Sequence, residues 1–330
     1  MTVRIGGTVV AQSHYRIFIK MEEKVMEERD RMKILIAYDG SECAESAIDD
    51  LKRAGLPRRA EAIVLTIAEE LFPAPTSIGG VATTFGKDLL EKEKDSLALA
   101  RRAQSRIHQL FPGWKILVDA GIGSPGSEII ARADEWRPDL IVVGSHGRTA
   151  LGRMFFGSVS QKLINAAHCS VRVARGRIVE PDVPARIIVG VDGSEEADAA
   201  VDEIASRDWP DGSEVRVVNS AWTIPAASDP GTAVNLAEWI ARETERVNKV
   251  VEGAADKLGS AGLKVSIVVK EQEPKALLCS EAEDLMADCI FVGARGMGRL
   301  ERFLIGSVSL GVAARAHCSV EVVRSGRAVN

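Results

Sequence analysis

An internal repeat constrains this chain more than any other feature. KILIAYDGS at residues 33–41 returns as RIIVGVDGS at 186–194, and IVVGSHGRTALGRMFFGSVS at 141–160 returns as IFVGARGMGRLERFLIGSVS at 290–309. AHCSVRV at 167–173 then returns as AHCSVEV at 316–322. The offset is 153 residues from Asp39 to Asp192 and 149 from Gly144 to Gly293, so the second copy is four residues shorter in its middle. Such self-similarity predicts two units of like size and order, and 330 residues are enough for two cores. The boundaries expected are an extension at 1–31 outside the repeat, a first domain at 32–176, a linker at 177–185 and a second domain at 186–325. In the extension, YRIFIK reads as a strand and KMEEKVMEERDR as a charged helix or solvated tail. Met32 stands directly before the first repeated strand, so the extension reads as an appended segment or as the product of an upstream start.

Within each copy, short Ile/Leu/Val runs alternate with helix-length amphipathic segments. Strands are expected at 33–38, 61–67, 115–120, 140–144 and 170–174, and again near 186–191, 215–219, 264–269, 289–293 and 319–323. The runs lack polar alternation, which suits parallel strands covered on both faces. Helices are expected at 42–54 and 87–110, and a third capped by Ser124 with Pro125 in its first turn. This order predicts an α/β class with two tandem doubly wound parallel sheets. The last strands, Val171 to Val173 and Val320 to Val323, are edge candidates for packing the copies as a pseudo-dimer. On such sheets ligands lie beyond the carboxyl ends of the strands.

Composition narrows the ligand. With 42 basic and 47 acidic residues the net charge is −5, so no overall positive field favours nucleic acid. No apolar run approaches the roughly 20 residues that cross a bilayer, and residues 1–20 lack a signal-peptide pattern. Five cysteines without a CxxC pair predict reduced thiols and a cytoplasmic setting. An anion must then be held by local geometry. Gly144 and Gly147 are separated by two residues, and nine more precede Gly157 and Ser158; Gly293, Gly296, Gly306 and Ser307 repeat the spacing. The first glycine ends a strand and the last pair opens a helix. Glycine accepts positive φ and leaves room for a phosphate, and the helix start offers unpaired N–H groups and a partial positive charge. Ser158 and Ser307 can add hydroxyl donors, as can Arg148 and Arg295 where their side chains turn inward. The plainer alternative is that the glycines shape a turn and the serines cap a helix. Asp39 and Asp192 end the first strand of each copy; they suit a base or ribose edge, and equally a turn that starts a helix.

The DGS-ending first strand, the G-2x-G-9x-G-S spacing and the closing strand after AHCSV together resemble the universal stress protein family in its tandem form, over about residues 32–324. The resemblance implies an adenine nucleotide alpha hydrolase-like fold and binding of ATP, with Mg²⁺ as the ion a triphosphate commonly carries. It implies Asp39, Thr66 and Ile67 near the base, Val143 and Gly144 near the ribose, and Gly147, Gly157, Ser158 and Val159 at the phosphates. In the second copy the matching set is Asp192, Asn219, Ser220, Val292, Gly293, Gly296, Gly306, Ser307 and Val308. Ser220 departs from the apolar residue usual there, which predicts a more polar second pocket of weaker affinity. A nucleotide-binding stress-response regulator is the leading expectation, since no general base stands poised at a γ-phosphate. A slow metal-dependent ATPase or phosphotransferase using Asp39 or Asp192 is the alternative, and an empty structural scaffold the third. A homodimer is expected, with protein clients unspecified.

Other motifs carry less. GIGSPG at 121–126 matches a dinucleotide fingerprint but follows the third strand and lacks its acidic partner. GGVATTFGKD at 79–88 has the wrong spacing for a phosphate loop and reads as a flexible connection. His168 and His317 precede the last strands and read as structural, and Cys169 and Cys318 as core. His146, where the second copy has Arg295, reads as a phosphate contact or as simply exposed.

Overall fold

The computed structural model describes residues 31–69, 82–147, 156–175, 183–221, 230–296 and 305–325. The extension at 1–30, Arg148 and most of the expected linker lie outside the described residues. The first repeat comprises β1 (Lys33–Ala37), α1 (Glu42–Asp50), β2 (Glu61–Glu69), α2 (Ala82–Leu110), β3 (Lys115–Gly123), α3 (Pro125–Trp136), β4 (Leu140–Gly144), α4 (Ser158–Ala166) and β5 (Ser170–Ala174). The second comprises β6 (Arg186–Gly190), α5 (Glu195–Ala205), β7 (Glu214–Ser220), α6 (Pro230–Ser260), β8 (Lys264–Lys270), α7 (Pro274–Leu285), β9 (Cys289–Gly293), α8 (Ser307–Arg315) and β10 (Ser319–Val323).

Local chemistry sets the helix ends. Ser41 and Ser194 accept hydrogen bonds from the backbone N of Ala44 and Ala197, capping α1 and α5. Pro125 and Pro274 open α3 and α7, and both helices stop at a left-handed residue, Arg137 and Met286. Two expectations are corrected. Ser124 holds the N-cap position of α3 but its hydroxyl makes no capping bond. Helix α2 begins at Ala82 rather than 87, so the second part of GGVATTFGKD is helical, not a loose connection.

All ten strands form one sheet, in the order β3-β2-β1-β4-β5-β10-β9-β6-β7-β8. Pairings are parallel except β5 with β10, where Val173, Arg172 and Val171 face Val320, Glu321 and Val322 in antiparallel register. The repeats therefore meet through the edge strands that the sequence singled out. In each half the chain reverses direction across the sheet between the first and fourth strands, which pair directly, Ile34 with Leu140 and Ile187 with Cys289. The crevice at that switch point is where such sheets take ligands.

The two faces of the junction differ. On one, Ile129 of α3 and Leu163 of α4 share a continuous core with Leu277 of α7 and Val312 of α8. Each such side chain contributes roughly 1.5–3 kcal/mol when fully buried, so this face welds the halves together. On the other face the cores under α1 and α2 and under α5 and α6 are separate, and charges lie between them. Arg172, 0% exposed, bonds to Asp50 at 2.6 Å and to Glu321 at 3.1 Å. Glu321 also receives Arg207, and Ser319 donates to Asp50 at 2.7 Å. Burial opposes the charge on Arg172, but the carboxylates around it, Asp50 foremost, hold its pKa well above the usual guanidinium range. A buried network of this kind adds little net stability over an apolar core, but it is costly to break.

Candidate functional site

Each switch-point crevice is floored by strand ends and bordered by the glycines at the two ends of the loop before α4 or α8. At Asp39, Oδ1 accepts the backbone N–H of Ser41 at 3.0 Å; at Asp192 the same oxygen accepts from Ser194 at 2.9 Å. Gly40 and Gly193, with φ of 76° and 84°, make the turns possible. The turn reading of these aspartates holds: Oδ1 builds the helix-starting turn, while Oδ2 lies beside the first loop glycine, Gly147 or Gly296. A Cβ on Gly147 would sit 3.1 Å from Asp39 Oδ2, and one on Gly296 only 2.6 Å from Asp192 Oδ2.

Of the two reasons expected for the loop glycines, positive φ and room for a close approach, the first does not apply. None of the six has a positive φ; Gly157 and Gly306 are extended at −66° and −67°. Close packing decides instead. A Cβ on Gly144 would meet the Cys43 carbonyl carbon at 2.9 Å, one on Gly293 that of Glu196 at 2.6 Å, and one on Gly157 the Ser145 carbonyl oxygen at 3.0 Å. The Gly157 N–H donates to the Ser145 carbonyl at 3.0 Å, and that of Gly306 to Ala294 at 2.7 Å, closing the base of each loop.

Helices α4 and α8 then start with Gly157 and Gly306 as N-caps and no capping side chain. Their first-turn N–H groups point from an uncapped end, where the helix field favours an anion. The serines do not cap: Ser158 and Ser307 are the first helical residues and line the crevices. The next serine in each copy, overlooked in the sequence, fixes the helix start. Ser160 donates to the Gly144 carbonyl at 2.8 Å and Ser309 to Gly293 at 2.6 Å. Its signal was available, since GSVS occurs in both copies.

The first crevice has a volume of about 750 Å³ and the second about 260 Å³. Asp39, Thr66, Ile67, Val143, Gly144, Gly147, Gly157, Ser158 and Val159 all line the first. In the second, Asp192, Ser220, Val292, Gly293, Arg295, Gly296, Gly306, Ser307 and Val308 do so. Asn219 does not: it is buried and its amide donates to the Val191 carbonyl at 2.7 Å. The Ser220 hydroxyl is used by the Gln272 carbonyl. Arg295 pairs with Glu196, which stands where the first copy has Cys43. Thr66, 1% exposed, has a buried Oγ1 with no hydrogen-bond partner among the described residues. His146 is half-buried, not simply exposed; Nδ1 lies 2.9 Å from Ser145 Oγ, and its buried Nε2 has no such partner. Burial, and then Arg175, lowers its pKa below the ordinary 6.5.

Elsewhere, His168 and His317 are exposed and face Asp134 and Glu283 at 3.8 and 3.2 Å. Burial pushes the thiols of Cys169 and Cys318 up to about 12, in keeping with core packing. Among the described residues no group of three His, Cys, Asp or Glu side chains suits a metal ion, and no helix is long and apolar enough to cross a membrane.

Comparison with known proteins agrees with the repeat. The model of the universal stress protein family matches residues 31–175 and again 185–324. The chain belongs to the universal stress protein family. It is 29% identical over 147 residues to the universal stress protein YxiE of Bacillus subtilis, covering 43% of this chain and 98% of that one. A Mycolicibacterium smegmatis universal stress protein is 31% identical over 198 residues, 56% of this chain and 61% of that one. A universal stress protein structure from Archaeoglobus fulgidus superposes with a TM-score of 0.61 at 20% identity, covering 89% of this chain and 98% of that chain, which supports the fold.

Proposed function

We propose that this universal stress protein is an ATP-binding regulator, with adenine nucleotide held by main-chain amides at the switch-point crevices and Mg²⁺ arriving with the triphosphate. The observation that carries the reading is an uncapped helix start closing a crevice lined by Thr66, whose buried hydroxyl has no hydrogen-bond partner among the described residues. Magnitudes show why the whole crevice is needed. A helix terminus is worth about 0.3–1 kcal/mol, up to ~2 when partly buried, whereas micromolar affinity needs about 8. The balance must come from burying the base against Ile67, Leu65 and Val143 and from hydrogen bonds to the ring and ribose at Asp39 and Thr66. The first crevice falls within the roughly 300–1,000 Å³ of small-molecule sites. A cytoplasmic setting and a homodimer belong to the same proposal, the latter read by light scattering.

The test is nucleotide analysis of purified protein, followed by calorimetry with Mg²⁺-ATP on stripped material. Retained ATP, measurable affinity, and its loss in the Gly157→Val/Gly306→Val double variant are expected. No bound nucleotide and no heat would overturn the proposal. A timed ADP assay addresses the slow metal-dependent ATPase or phosphotransferase reading: steady ADP release would replace the regulator with an enzyme.

A further inference from the structure

The repeats keep the same loops, yet their crevices differ almost threefold in volume, about 750 against 260 Å³. The long helices stand differently to them: Lys92, Asp95, Ser96 and Leu99 of α2 line the first crevice, and among the described residues none of α6 lines the second. Buried Ala100, Ala103 and Ile107 of α2 match Val251, Ala254 and Leu258 of α6 at a constant offset of 151, which sets Asp95 opposite Arg246. Arg246 is held by Glu243 at 2.6 Å and donates to the backbone carbonyl of Asp192 at 3.1 Å. It thereby ties α6 to the turn at the mouth of the second crevice. Asp95, which lines the first crevice, has no N–H to make that bond, and its charge has the same sign as that of Asp39.

The polar content differs as well. Thr66 lines the first crevice, with its hydroxyl buried and unpartnered among the described residues; Asn219, at the same place in β7, does not line the second, its amide donating to the Val191 carbonyl just after β6 while its Oδ1 is likewise buried without a partner. Lys162 of α4 lines the first crevice with its stem against Gly126; the second copy reverses this pair, with Lys275 against Gly311, so α8 carries no lysine there.

We infer that the two crevices are functionally unequal: the first is the high-affinity triphosphate site, and the second is held narrow by a latch in which Arg246 is the positioning residue. This rests on the nucleotide reading above and adds which site fills and what restrains the other. Calorimetry of the full chain with Mg²⁺-ATP tests it. The expected result is one tight site, with the second at least about tenfold weaker or silent, a difference of ~1.4 kcal/mol. Thr66→Val should weaken the tight site by about tenfold. Arg246→Gln should leave the tight site unchanged and strengthen the second by about tenfold. Gly306→Val, which alters only the second crevice, should spare the tight class. Two equal sites, a tight class lost in Gly306→Val, or no effect of Arg246→Gln would overturn the inference while leaving nucleotide binding intact. No heat in the parent chain would instead remove the nucleotide reading beneath it.

Discussion

At the residue scale, the loop depends on hydrogen atoms where other residues have Cβ. Gly157 is extended, so any residue has an acceptable φ there, but a Cβ would stand 3.0 Å from the Ser145 carbonyl oxygen. Gly157→Ala should therefore cost about 1–3 kcal/mol in urea unfolding through local overpacking, together with weaker nucleotide binding. His146 supplies a pH dependence. Its folded pKa lies below the ordinary 6.5, through burial first and Arg175 second. The unfolded chain then binds this proton more readily than the folded one, so the contribution is complete above the ordinary value and is lost as pH falls through the folded pKa. His146→Gln should reduce the drop in urea midpoint between about pH 7.5 and pH 5.5; an unchanged drop would exclude this histidine as its source. The loop positions were legible from spacing alone. The reason for glycine was not, because it lies in the Cys43, Glu196 and Ser145 backbones that folding brings alongside.

At the element scale, the helices that face the crevices are held from behind by the opposite repeat. Arg324, after β10, donates to the Ile164 carbonyl at 2.6 Å in the last turn of α4, and Arg175, after β5, reaches the Ala313 and Cys318 carbonyls around the end of α8. A guanidinium at a helix C-terminus meets unpaired carbonyls and the negative end of the dipole. Arg324→Met should cost about 1–2 kcal/mol, with faster amide exchange in α4 than in α8. Strand positions were readable to within a few residues, since continuous Ile/Leu/Val runs report a strand covered on both faces. Helix starts were less so, as Ser124 and Ala82 illustrate. The Arg246 contact with Asp192 was invisible because it joins a long helix to a turn 54 positions away.

At the scale of the whole molecule, the ten-stranded sheet makes the repeats one structure, and the Arg172 network sits at its centre. Glu321→Ala would leave Arg172 and Arg207 buried with less compensation, and removing one partner of such a group costs about 3–5 kcal/mol. Denaturant unfolding should show this as loss from both halves together. Exchanging the charges, Arg172→Glu with Glu321→Arg, should fail to rescue, because position 172 faces Asp50 and position 321 faces Arg207. Recovery of parental stability by that pair would contradict the network. No local pattern announced it: Arg172 bonds to residues 122 positions before it and 149 after it, and within β5 it reads as an outward-facing charge.

Arg172 and Glu321 hold the same place in their respective repeats. A duplicate of the first half would set guanidinium against guanidinium at the sheet's midpoint, and a duplicate of the second would set carboxylate against carboxylate. Gene conversion that made the halves identical would therefore be penalised at a position remote from either crevice, and the two halves must be inherited as a matched pair.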